Sequence, residues 1–221
     1  MYKNENNNIN EKNNESILNE NHKPHHKYKN IVFDLGGVLF YWNPLEIAKI
    51  HNQIANRILD VVCSEHWGNW DRGTMTAEEV AHELSGEFDK NEVLRLMQEA
   101  PGYLKPLDKG LQIFKEVKAL GYKTYVLSNL SKDCYNKIFH ENEFFKEFDG
   151  LIFSYQVKTI KPEPEIYNIL LNTYSLKPEE CLFIDDLEHN IAGANNIGID
   201  GVVCKDHDYL RQELQRLKIL D

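Results

Sequence analysis

Ile31-Val32-Phe33-Asp34-Leu35-Gly36-Gly37-Val38-Leu39 joins a short β-prone run to a carboxylate and a pair of glycines. Ile31, Val32 and Phe33 favour a pleated, buried strand, and the glycines let the backbone turn where a Cβ would restrict it. Asp34 is thereby delivered to the C-terminal end of a strand. Ligands of open α/β sheets sit just beyond those ends, so the carboxylate is placed for chemistry. An aspartate that merely caps a turn has the same local pattern, and later stretches must decide between the two.

Outward from this stretch, the chain of 221 residues has room for one domain with an insertion or for two small domains. A formal charge of -10 argues against unspecific nucleic-acid binding, which rests on Lys and Arg meeting phosphates. It leaves small anionic ligands open, because a local cluster of donors can bind phosphate within an acidic protein. Cys63, Cys134, Cys181 and Cys204 lie far apart, without zinc-ligand spacing or a disulfide framework, which fits a reducing cytoplasmic setting. No apolar run approaches the ~18 residues of a membrane span, and the N-terminus lacks the apolar centre of a secretory signal.

Residues 1–29 are Asn-rich and nearly devoid of apolar side chains, which predicts a disordered tail. His22, His25 and His26 within it are a compositional hint of metal binding only. After the first strand, Asn43-Pro44 signals a turn, and 44–100 shows helical periodicities alone: Ile47, Ile50, Ile54, Ile58 and Val61, then Val80, Leu84 and Phe88. Thr76 with Glu79 forms a capping box opening the second of these. Trp67-Gly68-Asn69-Trp70-Asp71-Arg72-Gly73 is unusually aromatic for a simple connection.

From Pro106 helix and strand alternate. A helix ends at Gly121; strands follow at 124–127, 151–154 and 181–184, with a helix over 164–174 before the third. A last strand lies near Val202-Val203, and an amphipathic helix over 209–220 closes the chain. The pattern predicts an α/β fold: a Rossmann-like, doubly wound parallel sheet from 30–43 and 101–221, with 44–100 as an inserted helical cap.

Parallel strands gather their ends on one edge. Asp34, Ser128 and Asn129, Lys161, and Asp185 with Asp186 all fall there. Carboxylates so collected repel one another unless a cation compensates them, and a hard divalent ion, Mg²⁺ above all, suits a site that also handles phosphate. Lys161 supplies a point charge for a phosphoryl oxygen, and Ser128 and Asn129 supply donors.

Four stretches in order, Phe33-Asp34-Leu35-Gly36-Gly37-Val38, Val126-Leu127-Ser128-Asn129, Lys161-Pro162-Glu163-Pro164 and Ile184-Asp185-Asp186 with Asn190, resemble the motifs of the haloacid dehalogenase superfamily. The resemblance implies that Asp34 attacks phosphorus and forms an aspartyl-phosphate that water then hydrolyses. It implies Mg²⁺ held by Asp34, the Gly36 carbonyl and Asp186, supported from behind by Asp185 and Asn190. Lys161, Ser128, Asn129 and Gly37 would bind the phosphoryl group, and 44–100 would be the cap that closes over the site. Trp42, Trp70 and Arg72 are candidate substrate contacts in that region, although large aromatics are more often core and a surface arginine more often pairs with an acid.

One departure stands out. Phosphatases of this family usually carry a second aspartate two positions after the nucleophile, as acid and base; here Gly36 stands there. A positioned acid or base contributes ~10²–10⁴-fold in rate, so another group must act or the leaving group must need little help. The DLGGV reading resembles a branch with bacterial α-glucose-1-phosphate phosphatases, and a small phosphorylated metabolite such as a sugar phosphate is the expected substrate. A metal-independent 2-haloacid dehalogenase and a binding module with marginal catalysis are the alternatives; the acidic pair at 185–186 weighs against the first and retention of Asp34, Lys161 and Asp186 against the second.

Overall fold

The computed structural model describes residues 27–49 and 55–221. The Asn-rich segment through residue 26, with its histidines, lies outside the described residues, as do Ile50 and Ile54. The expected tail is corrected at its end. Tyr28 is buried with its hydroxyl donating to Asp200 Oδ2 at 2.7 Å, and the Lys29 N–H donates to the Glu180 carbonyl at 2.8 Å, so 27–29 already pack on the fold.

Strand β1 (Asn30–Phe33) is followed by a two-residue strand β2 (Phe40–Tyr41). Helices α1 (Pro44–Ala48), α2 (Ile58–Val62), α3 (Glu65–Asp71), α4 (Ala77–Glu83) and α5 (Lys90–Tyr103) come next. Strand β3 (Lys105–Pro106) then pairs antiparallel with β2 and closes the base of the insertion. This ribbon was not legible in the sequence, and α5 carries the helical segment past residue 100. Of that periodicity's described residues, Ile47 lies in α1 and Ile58 and Val61 lie in α2. The aromatic stretch is itself α3, whose N-cap Ser64 accepts from the Trp67 N–H. The Thr76/Glu79 capping box is formed in both directions.

Thereafter helix and strand alternate as α6 (Asp108–Ala119), β4 (Lys123–Ser128), α7 (Lys132–Glu141), β5 (Gly150–Phe153) and α8 (Ser154–Val157). They continue as α9 (Pro164–Tyr174), β6 (Cys181–Asp185), α10 (Glu188–Asn195), β7 (Asp200–Val203) and α11 (His207–Arg216). The last helix is shorter than expected, because Lys218 just beyond it adopts a left-handed φ of 59°.

The sheet is parallel throughout, in the order β5-β4-β1-β6-β7. The chain winds outward from β1 through β4 and β5, then crosses back to β6, so β1 sits at the switch point of a doubly wound sheet. Alternation along the strands feeds two cores. Ile31, Phe33, Val126, Leu182 and Ile184 join one cluster; Val32, Tyr125, Leu127 and Phe183 join the other, under α9 and α10. The insertion's Val80, Leu96 and Met97 share the first cluster with Ile138 of α7, so its helices are packed on the sheet layer. Among the described residues no helix is long and apolar enough to cross a membrane.

Candidate active site

Register builds the site. Phe33 lies opposite Val126 of β4 and Ile184 of β6, so β1, β4 and β6 end level with one another. Asp34, Ser128 and Asp185 emerge at that level, and the Asp34 N–H is anchored on the Ile184 carbonyl at 2.9 Å. All three are buried. Lys161, only 2% exposed, enters from the loop after α8, with Nζ 2.6 Å from Asp185 Oδ2 and 2.8 Å from Asp34 Oδ1. Its loop is held by Asn129, whose side-chain amide donates to the Lys161 carbonyl at 3.0 Å and accepts from the Lys161 N–H at 2.8 Å. That amide thereby positions the lysine loop, and its second N–H is not engaged by these two bonds.

Asp185 is saturated by protein donors. Its Oδ1 accepts from the Leu187 N–H and Asn190 Nδ2, and its Oδ2 from Asn190 Nδ2 and Lys161 Nζ. Asp186 is half-buried and comes close to the turn at Gly37, whose φ is +67°. A Cβ on Gly37 would stand 2.5 Å from Asp186 Oδ2, so glycine is required there by both conformation and space.

Carboxylate oxygens of Asp34, Asp185 and Asp186 all lie within 4.8 Å of one another. One lysine does not balance three acids. Burial pushes the Asp34 carboxyl up to about 7, against the pull of Lys161 and with the repulsion of Asp185 and Asp186. Burial and Asp185 push Asp186 up to about 6. Lys161 is held above the ordinary lysine value: burial works against its charge, and the Asp185 and Asp34 charges outweigh that. Two buried acceptors, Asp34 Oδ1 and Asn190 Oδ1, have no aligned hydrogen-bond donor among the described residues; Lys161 stands 2.8 Å from the first as an ion pair. An all-oxygen cluster with excess negative charge and orphaned acceptors fits a hard divalent cation.

The insertion supplies the opposite wall, and here the expectations change. Trp70 is 2% exposed, stacks edge-on with Trp67 and donates its indole N–H to Asp133 Oδ2 at 3.0 Å, so it is core rather than a substrate contact. Arg72 is also committed: its guanidinium makes a fork to Glu163, with contacts of 2.8, 3.0 and 3.1 Å. Glu163 further accepts from Thr159 Oγ1 at 2.6 Å, so it is no merely solvated loop residue. Trp42 is half-buried beside the nucleophile turn, its Cβ 3.7 Å from where a Cβ on Gly36 would lie.

Residues the motifs do not mark complete the wall. The Asp71 carbonyl accepts from Ser154 Oγ at 2.6 Å, the same hydroxyl accepts from the Leu130 N–H at 2.8 Å, and Lys158 Nζ donates to the Gly73 carbonyl at 2.6 Å. The Asp71 carboxylate receives the Ser131 backbone N–H and the Trp67 side chain, and burial pushes it up to about 7. The one signal for it in the sequence is an acid beside the Arg72-Gly73 turn.

A buried aspartate and lysine thus face one another at the switch point of a doubly wound sheet. The family model for haloacid dehalogenase-like hydrolases matches residues 28–198, and the chain belongs to that family. It is similar to the sesquiterpene phosphatase astK of Aspergillus oryzae, 26% identical over 193 residues that cover 86% of this chain and 96% of that protein. It is 27% identical over 205 residues to the D-ribitol-5-phosphate phosphatase of Bacteroides thetaiotaomicron, covering 84% and 96% of the two chains. Several other relatives are longer proteins, of which the chain spans between 14% and 36%. Among solved structures, a HAD family enzyme of Bacteroides thetaiotaomicron in complex with magnesium and inorganic phosphate superposes with a TM-score of 0.64 at 23% identity, over 80% of this chain and 93% of that one.

Proposed function

We propose that this hydrolase is a Mg²⁺-dependent phosphatase that cleaves a small organic phosphate monoester through an aspartyl-phosphate on Asp34. The observation that carries the reading is the buried Asp34 2.8 Å from Lys161, with Asp186 and Asp185 beside it. Relatives named as phosphatases of a phosphorylated polyol and of a sesquiterpene support phosphorus as the target and leave the alcohol open.

In this reading Asp34 is the nucleophile. Lys161 and the Ser128 hydroxyl bind the phosphoryl oxygens, and Lys161 also favours the ionised form of Asp34. Asp34, Asp186 and the Gly36 carbonyl would hold Mg²⁺. When bound, the ion neutralises the carboxylates and draws charge from the phosphoryl oxygens. Asp185 keeps Lys161 and Asn190 in place from behind. Residues 44–100 act as a cap that shields the reaction from water and selects the alcohol, and Trp42, just ahead of it, lines the site beside the nucleophile turn.

The test is phosphate release from a panel of sugar, polyol and terpenoid monophosphates, with and without Mg²⁺. Release that needs the ion, and falls at least about 10³-fold in Asp34→Asn, is expected. Halide release from 2-haloacids without metal would instead identify a dehalogenase. Tight ligand binding with no turnover on any ester would identify a binding module.

A further inference from the structure

We propose that Asp71, on the insertion, supplies the acid and base that Gly36 cannot: its carboxylic acid protonates the leaving oxygen and its carboxylate then activates the hydrolytic water. This rests on the phosphatase reading above.

Placement comes first. Asp71 ends α3, and its carbonyl is tied to Ser154 Oγ, which in turn holds the Leu130 N–H. Its carboxylate receives the Ser131 N–H, three residues after Ser128, and lies within Coulombic reach of Lys161. The insertion thus sets this acid against the loop that follows β4, beside Ser131 and near Lys161. The residue as a whole is half-buried, on the insertion side of that loop.

The other groups on that wall are engaged. Glu163 is shared among Arg72, Thr159 and the Ile160 N–H. Asp133 accepts from the Trp70 indole, and His207 Nε2 is bonded to the Val38 carbonyl. His189 is exposed. Among the described residues the Asp71 carboxyl is bonded by Ser131 and Trp67 and by no acid or base side chain.

Its surroundings also set its affinity for that proton. Burial raises the Asp71 carboxyl to about 7, moderated by the Ser131 N–H, by Trp67 and by the Lys161 charge. The remaining neighbours are the Cys134 thiol, itself pushed up by burial with the charges of Asp71 and Asp133, and the Arg72–Glu163 pair. A group poised near neutrality can give a proton and take one back.

The steps balance as follows. An Asp34 oxygen forms a bond to phosphorus while the bond to the ester oxygen breaks; that oxygen takes the electron pair, and the Asp71 proton makes it an alcohol. In the second half Asp71, now ionised, takes a proton from water as the water oxygen bonds to phosphorus. The bond between the Asp34 oxygen and phosphorus, that of an acyl phosphate, breaks; its electron pair returns to Asp34, and phosphate and a protonated Asp71 result.

The discriminating experiment compares kcat/KM for an alkyl phosphate, ribitol 5-phosphate, and for p-nitrophenyl phosphate, in Mg²⁺ across pH 5–9. In Asp71→Asn the alkyl ester should lose ~10²-fold or more, because its alkoxide needs a proton, while the nitrophenyl ester changes by less than about threefold. The fall in wild-type kcat/KM above about pH 7 on the alkyl ester should vanish with it. A Cβ at position 36 meets only Trp42 Cβ at 3.7 Å, so Gly36→Asp in the Asp71→Asn background should restore alkyl turnover. Equal losses on both esters, or no loss on either, would overturn the assignment while leaving the phosphatase reading intact. Wild-type silence on both would remove that reading and this inference with it. Should Asp71→Asn fail to fold, Asp71→Glu carries the test: a displaced alkaline limb supports the role, and an unmoved one refutes it.

Discussion

The two walls of the site are held by different means. At the sheet edge Asp34, Asp185 and Lys161 are buried and bonded to one another, each fixed by the end of a strand or by a loop that Asn129 clamps. On the insertion Asp71, Arg72 and Gly73 are half-buried and are tied to Ser154, Glu163 and Lys158, partners 83 to 91 positions away. The first wall is preorganised by backbone hydrogen bonds that cannot slip without breaking the sheet. The second is attached by side-chain bonds in partial contact with water, which open at far lower cost. A nucleophile that must meet phosphorus in one geometry belongs on the first; a group that must admit and release an alcohol belongs on the second.

The contrast is tested most severely at Lys161. Among the described residues it is the only cation paired with any of the three clustered acids, holding Asp34 and Asp185, and Lys161→Met leaves that buried carboxylate pair unpaired. Breaking a buried ion pair from one side costs ~3–5 kcal/mol, so the metal-free variant should unfold far below the wild type in denaturant. The loss should be smaller at pH 5 than at pH 8, because the orphaned acids can then take up protons. A midpoint within experimental error of the wild type at pH 8 would mean that the lysine carries no stabilising charge.

Asp71 is expected to act more gently and with the opposite sign. Its folded carboxyl titrates near 7 while an unfolded aspartate titrates near ~3.9, so between those values the folded state holds the extra proton. The stability it contributes is whole below about pH 4 and is lost as pH rises through about 7. Asn has no such titration. Asp71→Asn should therefore raise Tm relative to wild type at pH 8 more than at pH 5, a gain in stability at a site argued to serve catalysis. A Tm difference independent of pH would show that this carboxyl is not perturbed.

How much could be read from the chain follows the same division. Strand-end residues are visible because a run such as Cys181-Leu182-Phe183-Ile184 is both β-prone and buried on its two faces, and whatever follows it must lie on the edge. Helix α9 was bounded by Pro164 at its start and Tyr174 at its end, as its periodicity predicts. The β2–β3 ribbon escaped because two residues, one of them a proline, carry no periodicity. Asp71, Trp70 and Arg72 were equally opaque. Their partners are set by how the insertion docks, a long-range property that local spacing does not encode: that Arg72 would pair with an acid is what a surface arginine usually does, but that the acid is Glu163, 91 positions away, was not visible.

That pair gives the smallest and sharpest test. Arg72 and Glu163 form a forked ion pair whose side chains are 23% and 39% exposed, so solvent screens much of the attraction. Arg72→Ala should cost about 1 kcal/mol, and a double-mutant cycle with Glu163→Gln should return a coupling of ~0.5–1 kcal/mol. The catalytic consequence should exceed the stability one, since Arg72 adjoins Asp71 and Glu163 lies two residues from Lys161. Loosening the pair moves the acid relative to the phosphoryl site, and a misplacement of about 1 Å can cost ~10²-fold in rate. Turnover of ribitol 5-phosphate should therefore fall further than that of p-nitrophenyl phosphate, as for Asp71→Asn but less steeply. Zero coupling in the cycle together with equal loss on the two esters would mean that the insertion is held by its apolar contacts alone, and that the contrast between the two walls is only one of exposure.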